Sequence, residues 1–170
     1  MKRHALANPD TVCGIACSVH DYVSALIRDP PYCYECGRDL RGACGIATWE
    51  LFTRLRSTGH RVAVVCAEKL SAGNHAYAMV DRGMGTQLLV DVTSEQFGGP
   101  PVLIEHELDE MALFVDEPHR WVYQWGNCFS YSSLSSAANA LDWGVGYTHP
   151  DVLSRIRAEA CATVRISRPP

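Results

Sequence analysis

A cysteine directly before an apolar helical pattern is the first feature of this sequence that can carry chemistry. Residues 41–52 read RGACGIATWELF, and Cys44 stands where the pattern begins. A helix N-terminus stabilises a thiolate, because its backbone N–H groups and the positive end of the helix dipole favour an anion. Gly42 and Gly45 would let a substrate carbonyl approach the backbone, where the Cys44 N–H can donate to an oxyanion. The stretch predicts a nucleophilic thiol; the alternative is a cysteine used for packing.

A nucleophilic cysteine needs a base, and the base needs a partner that orients it. His75 opens the second of three predicted strands, and Asp91 lies near the end of the third. We predict that these two residues face each other across a hairpin with a three-residue loop at 82–84. Directly opposed side chains on one face lie about 5 Å apart at Cβ, which suits an imidazole–carboxylate pair. The alternative is a His–Asp pair that only caps the hairpin.

A second group of cysteines can bind a metal. The segment YCYECGRDL holds Cys33 and Cys36 in a C-x-x-C-G turn of the kind found in zinc knuckles. A tetrahedral site needs two more ligands, and Cys13 with Cys17, or Cys17 with His20, lie a turn apart on the first predicted helix. The sequence thus gives a candidate structural zinc site. A redox C-x-x-C pair and reduced cysteines in a loop remain open alternatives.

Two amphipathic helices must position these groups. Residues 11–28 place apolar side chains at helical spacing, and the Asp-Pro-Pro sequence at 29–31 ends that helix, because proline cannot continue it. A second helix is predicted over 44–58, with Gly59 as its C-cap glycine. This helix is apolar over a wide face, so we expect it to be central and largely buried.

Short runs of β-forming residues follow at 61–67, 75–81 and 86–92, separated by turn-rich segments. They predict an antiparallel meander packed on the central helix. Further elements are predicted with weaker patterns: strands at 101–108 and 120–125, and helices at 133–143 and 150–164. The predicted fold class is therefore α+β, with a central N-terminal helix packed on an antiparallel sheet.

The composition limits the class of protein. With 170 residues and 47% apolar residues, the chain is expected to form one domain with a sizeable core. A net charge of −4 with scattered Lys and Arg gives no electrostatic footprint for nucleic acid, and no run approaches the roughly 20 apolar residues that span a bilayer. The N-terminus lacks the apolar core of a signal peptide, so we expect a cytoplasmic protein, or an effector delivered to another cell by another route.

The order of Cys at a helix start, His on one strand and Asp on the next resembles the papain-like superfamily. It is most similar to the transglutaminase-like branch and to the papain-fold domains of bacterial effectors and toxins. The stretch NHAYAMV…LLVDVTSEQF is similar to that branch's pattern H-a-(W/F/Y)-v … D-(P/V)-T. The resemblance implies a papain-like or transglutaminase-like core, with Cys44 as nucleophile, His75 as general base and then acid, and Asp91 as the residue that orients the imidazole.

The resemblance covers only part of the chain. We expect one papain-like domain over 1–170, with its core at 41–98, an N-terminal helix and Cys-rich linker at 1–40, and a C-terminal extension at 99–170. Papain-type proteases carry a Gln shortly before the Cys and a Trp directly after it, whereas Arg38 and Gly45 hold those positions here. The oxyanion-hole side chain is therefore unassigned, and Gln96 and Gly45 are the candidates for an oxyanion or substrate contact.

The leading hypothesis is a thiol enzyme that attacks a carboxamide of a protein or peptide through a thioester on Cys44. The carboxamide is a peptide bond, an isopeptide bond or a glutamine side chain, so protease, deamidase and transglutaminase types remain open. This chemistry requires no cofactor, and the expected partner is a protein or peptide substrate rather than nucleic acid or a membrane. The alternative is a non-catalytic, zinc-stabilised protein-binding module on the same scaffold, or an injected effector or toxin that uses the same triad.

Overall fold

Two helices and a five-stranded antiparallel sheet make up the described part of this chain. The computed structural model describes residues 9–28, 40, 42–68, 75–83, 86–106, 127–131, 133 and 136–137. In chain order the elements are α1 (Pro9–Leu26), α2 (Cys44–Ser57), β1 (Val62–Glu68), β2 (His75–Gly83), β3 (Thr86–Asp91), a 3₁₀ helix (Ser94–Phe97), β4 (Leu103–His106) and β5 (Asn127–Tyr131). The α+β class and the antiparallel sheet that the sequence predicted are confirmed.

Helix α1 buries one apolar stripe and leaves most of its other side chains in solvent. It begins at Pro9 and ends at Leu26, two residues earlier at each end than the pattern predicted. The helix stops ahead of the Asp-Pro-Pro sequence, as expected from the backbone limits of proline. The residues of the stripe are fully buried at helical spacing: Val12, Ala16, Val19 and Val23.

Helix α2 is the central element and is buried along most of its length. It spans Cys44–Ser57, close to the predicted bounds, and packs against α1, β1 and β2. Gly59 follows with φ +89°, its N–H bonded to the Arg56 carbonyl at 3.0 Å, while the His60 N–H bonds to the Leu55 carbonyl at 3.1 Å. This pair of bonds is a Schellman motif, which confirms the predicted C-cap glycine.

The strands lie in the order β4-β3-β2-β1-β5, and each neighbouring pair is antiparallel. The middle strand is β2, flanked by its sequence neighbours β1 and β3, so the predicted meander is confirmed. Between β2 and β3, Ala78 pairs with Val90 and Val80 pairs with Leu88. Helix α2 packs against β2, so this strand links the central helix to the rest of the sheet.

The predicted register between β2 and β3 was wrong. The predicted hairpin has His75 directly opposite Asp91 and a loop at 82–84, whereas β2 continues to Gly83 and carries an irregularity between Asp81 and Gly83. There the Asp81 carboxylate accepts the Gly83 N–H at 2.7 Å, and Gly83 takes φ +85°. Because of this bulge, β2 extends into the predicted loop. The β2 residues up to Asp81 therefore pair with β3 residues two positions later in the chain than predicted.

Apolar side chains cover both faces of the sheet. The larger cluster fills the space between the helices and the sheet and includes Trp49 and Phe52 of α2, with ring centroids 5.9 Å apart. A smaller cluster occupies the alternate positions of the strands, which point to the opposite face. It consists of Val65, Tyr77, Leu89 and Leu103, with Met79 and Phe97 packed against it.

Some predicted elements lie outside the described residues. These are the strand at 120–125, the helix at 150–164 and most of the helix at 133–143. The strand expected within 101–108 is present as β4. Among the residues that the structure describes, neither helix combines the length and the apolar character that a bilayer crossing requires.

Candidate active site

The Cys44 thiol lies at the first residue of α2 and is buried, with 2% of the residue exposed. Ala43 at the N-cap supplies no side-chain hydrogen bond to the helix. The first N–H groups of an α-helix have no acceptor within the helix. The N–H groups of Cys44 and Gly45 therefore donate no hydrogen bond to an N-cap side chain. The helix dipole adds its positive end there, which favours a thiolate. The predicted position of Cys44 at a helix start is confirmed, while the oxyanion contact of Gly45 stays a prediction.

The loop that leads into Cys44 is tightly folded. Leu40 has φ +62° and Gly42 has φ +84°, and the Ala43 N–H donates to the Leu40 carbonyl at 2.9 Å. A bulky side chain in the left-handed region costs roughly 1–3 kcal/mol. Leu40 persists there with 1% of its surface exposed, so burial in the core offsets the backbone strain. Core packing therefore sets the path by which the chain enters α2.

His75 and Asp91 form a fully buried pair. The imidazole Nε2 lies 2.8 Å from Asp91 Oδ2, and the residues are 0% and 1% exposed. Because a carboxylate only accepts hydrogen bonds, Nε2 carries a proton and donates it. The other oxygen, Oδ1, accepts the Thr93 N–H at 2.7 Å and the Thr93 hydroxyl at 2.9 Å. Both carboxylate oxygens are held, so the direction in which Asp91 faces the ring is fixed.

The pair forms diagonally across β2 and β3. Continuing the observed register places Asp91 opposite Tyr77, two residues along the strand from His75. Diagonal neighbours in an antiparallel sheet are about 7–8 Å apart at their backbones, within reach of long side chains. The predicted contact between the two side chains is present, although the predicted register is not.

The Cys44 thiol lies near enough to the His75 ring to act on the pKa of the imidazole. Burial by itself lowers the pKa of His75, but the charge and hydrogen bond of Asp91, together with the contact with Cys44, outweigh burial and raise that pKa to about 10. The contacts with Asp91 and Cys44 thus favour the protonated ring. The structure brings the three predicted residues, Cys44, His75 and Asp91, together in one buried cluster.

Gln96 also reaches the imidazole. The 3₁₀ helix places Gln96 Nε2 3.2 Å from His75 Nδ1, and the same amide donates to the Thr93 carbonyl at 3.0 Å. A neutral ring can accept a hydrogen bond from this amide at Nδ1, whereas an imidazolium carries a proton there. The Gln96 contact at Nδ1 therefore depends on the protonation state of the ring. Gln96 is thus part of the site through its contact with His75. Its predicted contact with an oxyanion or substrate stays a prediction.

Aromatic and charged contacts surround the imidazole. Phe97 meets the His75 ring edge-on with centroids 4.8 Å apart, and Tyr77 stacks on it at 6.1 Å. Beside Phe97, Glu95 Oε2 lies 3.3 Å from Nε2 of His20 on α1. The 3₁₀ helix is thereby tied to both β2 and α1, which keeps it against the site.

The predicted zinc site is not assembled among the residues that the structure describes. Cys13 and Cys17 lie one turn apart on α1 and are exposed, while Cys33 and Cys36 fall outside the described residues. Desolvation raises the pKa of the Cys17 thiol, as do the hydrogen bond and charge of Cys13. Within the described ranges, no group of three or more His, Cys, Asp or Glu side chains is arranged to hold a metal ion. The zinc site stays a prediction.

Two threonines that hold the site in place had no predicted role. Thr93 holds the Asp91 carboxylate, and Thr48 on α2 donates its hydroxyl to the Ala76 carbonyl at 2.9 Å. Thr93 carried a local signal, because an Asp side chain readily accepts hydrogen bonds from the residue two positions later. Thr48 carried none, since its partner lies 28 residues away in the chain.

The chemistry of this site is that of a buried thiol at a helix start beside a buried imidazole–carboxylate pair on two strands. No protein-family model, no curated protein and no solved structure matches this chain.

Proposed function

We propose that this chain is a thiol acyl-transfer enzyme that attacks carboxamides, with a papain-like or transglutaminase-like arrangement of its catalytic residues. One observation carries the proposal: the His75 ring bonds to Asp91 at 2.8 Å and interacts with the Cys44 thiol, and all three residues are buried. A reactive cysteine needs a lowered thiol pKa, a base and a partner that orients the base. A helix start, an imidazolium and a held carboxylate meet these needs, whereas a cysteine used for packing requires none of them.

In the proposed reaction, Cys44 attacks the carbonyl carbon of a peptide, isopeptide or glutamine carboxamide. The attacking species is the thiolate of a Cys44–His75 ion pair, in which the thiol proton already lies on His75 Nδ1, and Asp91 stabilises the imidazolium from the Nε2 side. As the C–S bond forms, the carbonyl oxygen becomes an oxyanion, for which the N–H groups of Cys44 and Gly45 are the proposed donors. Nδ1–H then protonates the leaving nitrogen, the C–N bond breaks, and a thioester remains on Cys44.

Water or an amine resolves the thioester in the second half of the reaction. Water, deprotonated by His75, completes the hydrolysis of a peptide or isopeptide bond, or converts glutamine to glutamate. A primary amine gives a new isopeptide bond instead. The same three side chains serve each outcome, and these steps need no cofactor. We propose a protein or peptide as the substrate, in keeping with the family that the sequence resembles.

Alkylation of two equally buried thiols tests the nucleophile. Cys44 and Cys66 are each 2% exposed, but Cys66 lies within strand β1 rather than at a helix start. Iodoacetamide labelling would be followed from about pH 5 to 10, with each site assigned by mass spectrometry. We expect Cys44 to label faster than Cys66, with the largest difference below about pH 8, because only Cys44 lies at a helix start beside an imidazole. His75→Ala should remove the difference, and identical pH profiles for the two thiols in the wild type would contradict the proposal.

Product analysis separates the reaction types. The full chain would be incubated with glutamine-containing peptides and a fluorescent primary amine, and cleavage, ammonia release and amine incorporation would be measured. We expect one of these products from the wild type and from Cys66→Ala, and none from Cys44→Ser. If no product forms and Cys44 reacts no faster than Cys66, the enzyme proposal fails. Stoichiometric zinc that is lost with the cysteines would then favour the binding module.

A further inference from the structure

Thr48 makes an unusual hydrogen bond for a threonine inside a helix. Its hydroxyl donates to the Ala76 carbonyl of β2 at 2.9 Å, and the bond is buried. Threonines in helices more often bond back to a carbonyl of the preceding turn. Thr53 of the same helix does so, with its hydroxyl 3.0 Å from the Trp49 carbonyl. The Thr48 bond is therefore a tertiary contact that joins the helix to the sheet.

The position of this bond relates it to the site. Thr48 lies four residues after Cys44, so the two side chains share one face of α2. Its acceptor, Ala76, directly follows His75 on β2. The bond thus connects the helix that carries the thiol to the strand that carries the imidazole. Its donor lies about one helical turn from Cys44, and its acceptor lies one residue from His75.

Apolar packing alone gives little control over the position of α2 relative to β2. The main core cluster between the helices and the sheet includes three small residues of α2 and β2, Ala47, Ala76 and Ala78. Contacts between such side chains are non-directional, so small displacements of the helix along the strand change their energy little. A hydrogen bond holds its donor and acceptor within a narrow range of distance and angle. The hydroxyl therefore supplies a directional constraint that the alanines do not.

We propose that Thr48 is a positioning residue that sets the separation between the Cys44 thiol and the His75 imidazole by fixing α2 on β2. The inference rests on the proposed function, because it assigns Thr48 a role in forming the nucleophile–base pair. Thr48 touches neither the substrate nor the reacting atoms in this role. It acts through the placement of Cys44.

Three variants of the full chain test this role. Thr48→Val removes the hydroxyl and keeps the shape, Thr48→Ser keeps the hydroxyl and removes a methyl group, and Thr53→Val makes the same change one turn along α2. The readouts are the pH midpoint and rate of Cys44 alkylation by iodoacetamide, with the thermal midpoint measured in parallel. We expect Thr48→Val to slow alkylation at neutral pH about tenfold or more, since a ~1 Å misplacement can cost on the order of 10²-fold. Its pH midpoint should move toward that of Cys66, while Thr48→Ser and Thr53→Val keep the wild-type profile.

Other outcomes would overturn the inference. A folded Thr48→Val variant with the wild-type alkylation profile would show that the bond does not set the separation between the Cys44 thiol and the His75 imidazole. Equal losses in Thr48→Val and Thr48→Ser would show that any change at this position disturbs the pair, which would assign no special role to the hydroxyl. If Thr48→Val does not fold, Thr48→Ser and Thr48→Ala decide the same question, and equal profiles for these two refute the role of the hydroxyl. A wild-type Cys44 that titrates like Cys66 would refute the proposed function as well, which separates the two failures.

Discussion

Replacing Asp91 by asparagine tests how the carboxylate controls the imidazole. Asp91 Oδ1 accepts two hydrogen bonds from Thr93, and Oδ2 accepts one from His75. An asparagine offers one acceptor and one donor group. The Thr93 hydroxyl can rotate, but its backbone N–H can only donate, so the asparagine oxygen must stay on Thr93 and its NH₂ must face His75 Nε2. Nε2 then has to accept, and the single proton of the neutral ring moves to Nδ1. A ring in this tautomer cannot take the proton of the Cys44 thiol.

The size of the effect follows from the pKa of His75. Asp91 supplies the largest contribution that raises the pKa of His75 to about 10, so the wild-type ring is mostly protonated at about pH 8. In Asp91→Asn that charge is gone while burial still lowers the pKa, so we expect the protonated fraction at about pH 8 to fall. The wrong tautomer in a Ser–His–Asp triad costs on the order of 10⁴-fold in turnover. We expect a loss of that order in carboxamide turnover here.

Proton NMR titration of the histidine ring is the direct assay, read together with the rate of Cys44 alkylation. Asp81→Asn is the matched control, because Asp81 also bonds a backbone N–H, that of Gly83 at 2.7 Å, but pairs with Arg61 at 3.2 Å away from the site. We expect Asp81→Asn to leave both readouts unchanged. If folded Asp91→Asn keeps an imidazolium at about pH 8 and alkylates Cys44 at the wild-type rate, the tautomer argument is refuted.

Two further predictions concern stability. His75 keeps its proton up to a pKa of about 10 when folded but only to 6.5 when unfolded, so its stabilising effect is complete below pH 6.5 and is lost as pH rises toward 10. Urea unfolding should show this fall in the wild type and lack it in His75→Gln; equal pH dependence in both would contradict the pairing. Gly59 has φ +89° and open space where a Cβ would stand, so Gly59→Ala should lower the free energy of unfolding by about 1–2 kcal/mol through backbone strain alone. Gly14 has the same open space within α1, and Gly14→Ala should raise it by about 0.5–1 kcal/mol; urea unfolding that ranks the two alanine variants the other way would overturn this reasoning.

The main helices and the meander could be predicted because their signals are local. The α2 pattern ends at a glycine in the left-handed region, and both ends of that helix lie where composition and periodicity put them. The register of β2 and β3 could not be predicted in the same way. It depends on a bulge at Asp81 and Gly83, where a side-chain bond to the backbone competes with the ladder of the sheet. Turn chemistry alone favoured a different loop of similar length.

The three site residues could be predicted from type and order, but the contacts that hold them could not. No local sequence pattern indicates that the Thr48 hydroxyl bonds to the Ala76 carbonyl, or that the Gln96 amide contacts the His75 ring. These contacts exist only after the helix has packed on the sheet. Leu40 illustrates the same limit, because its positive φ opposes local preference and is maintained by burial in the core.

The surroundings of His75 also bear on why a charged pair lies in the core at all. Its ring is enclosed by Phe97 and Tyr77, and Asp91 lies between the buried Val90 and Val92. Removing two charges from water costs several kcal/mol per ion, and replacing a buried ion pair with apolar side chains of similar volume is often neutral or stabilising. Stability alone therefore gives no reason to keep an imidazolium and a carboxylate at this position. A base whose pKa is set by a buried carboxylate, in contact with a thiol at a helix start, gives such a reason, because strongly shifted pKa values concentrate where side chains transfer protons.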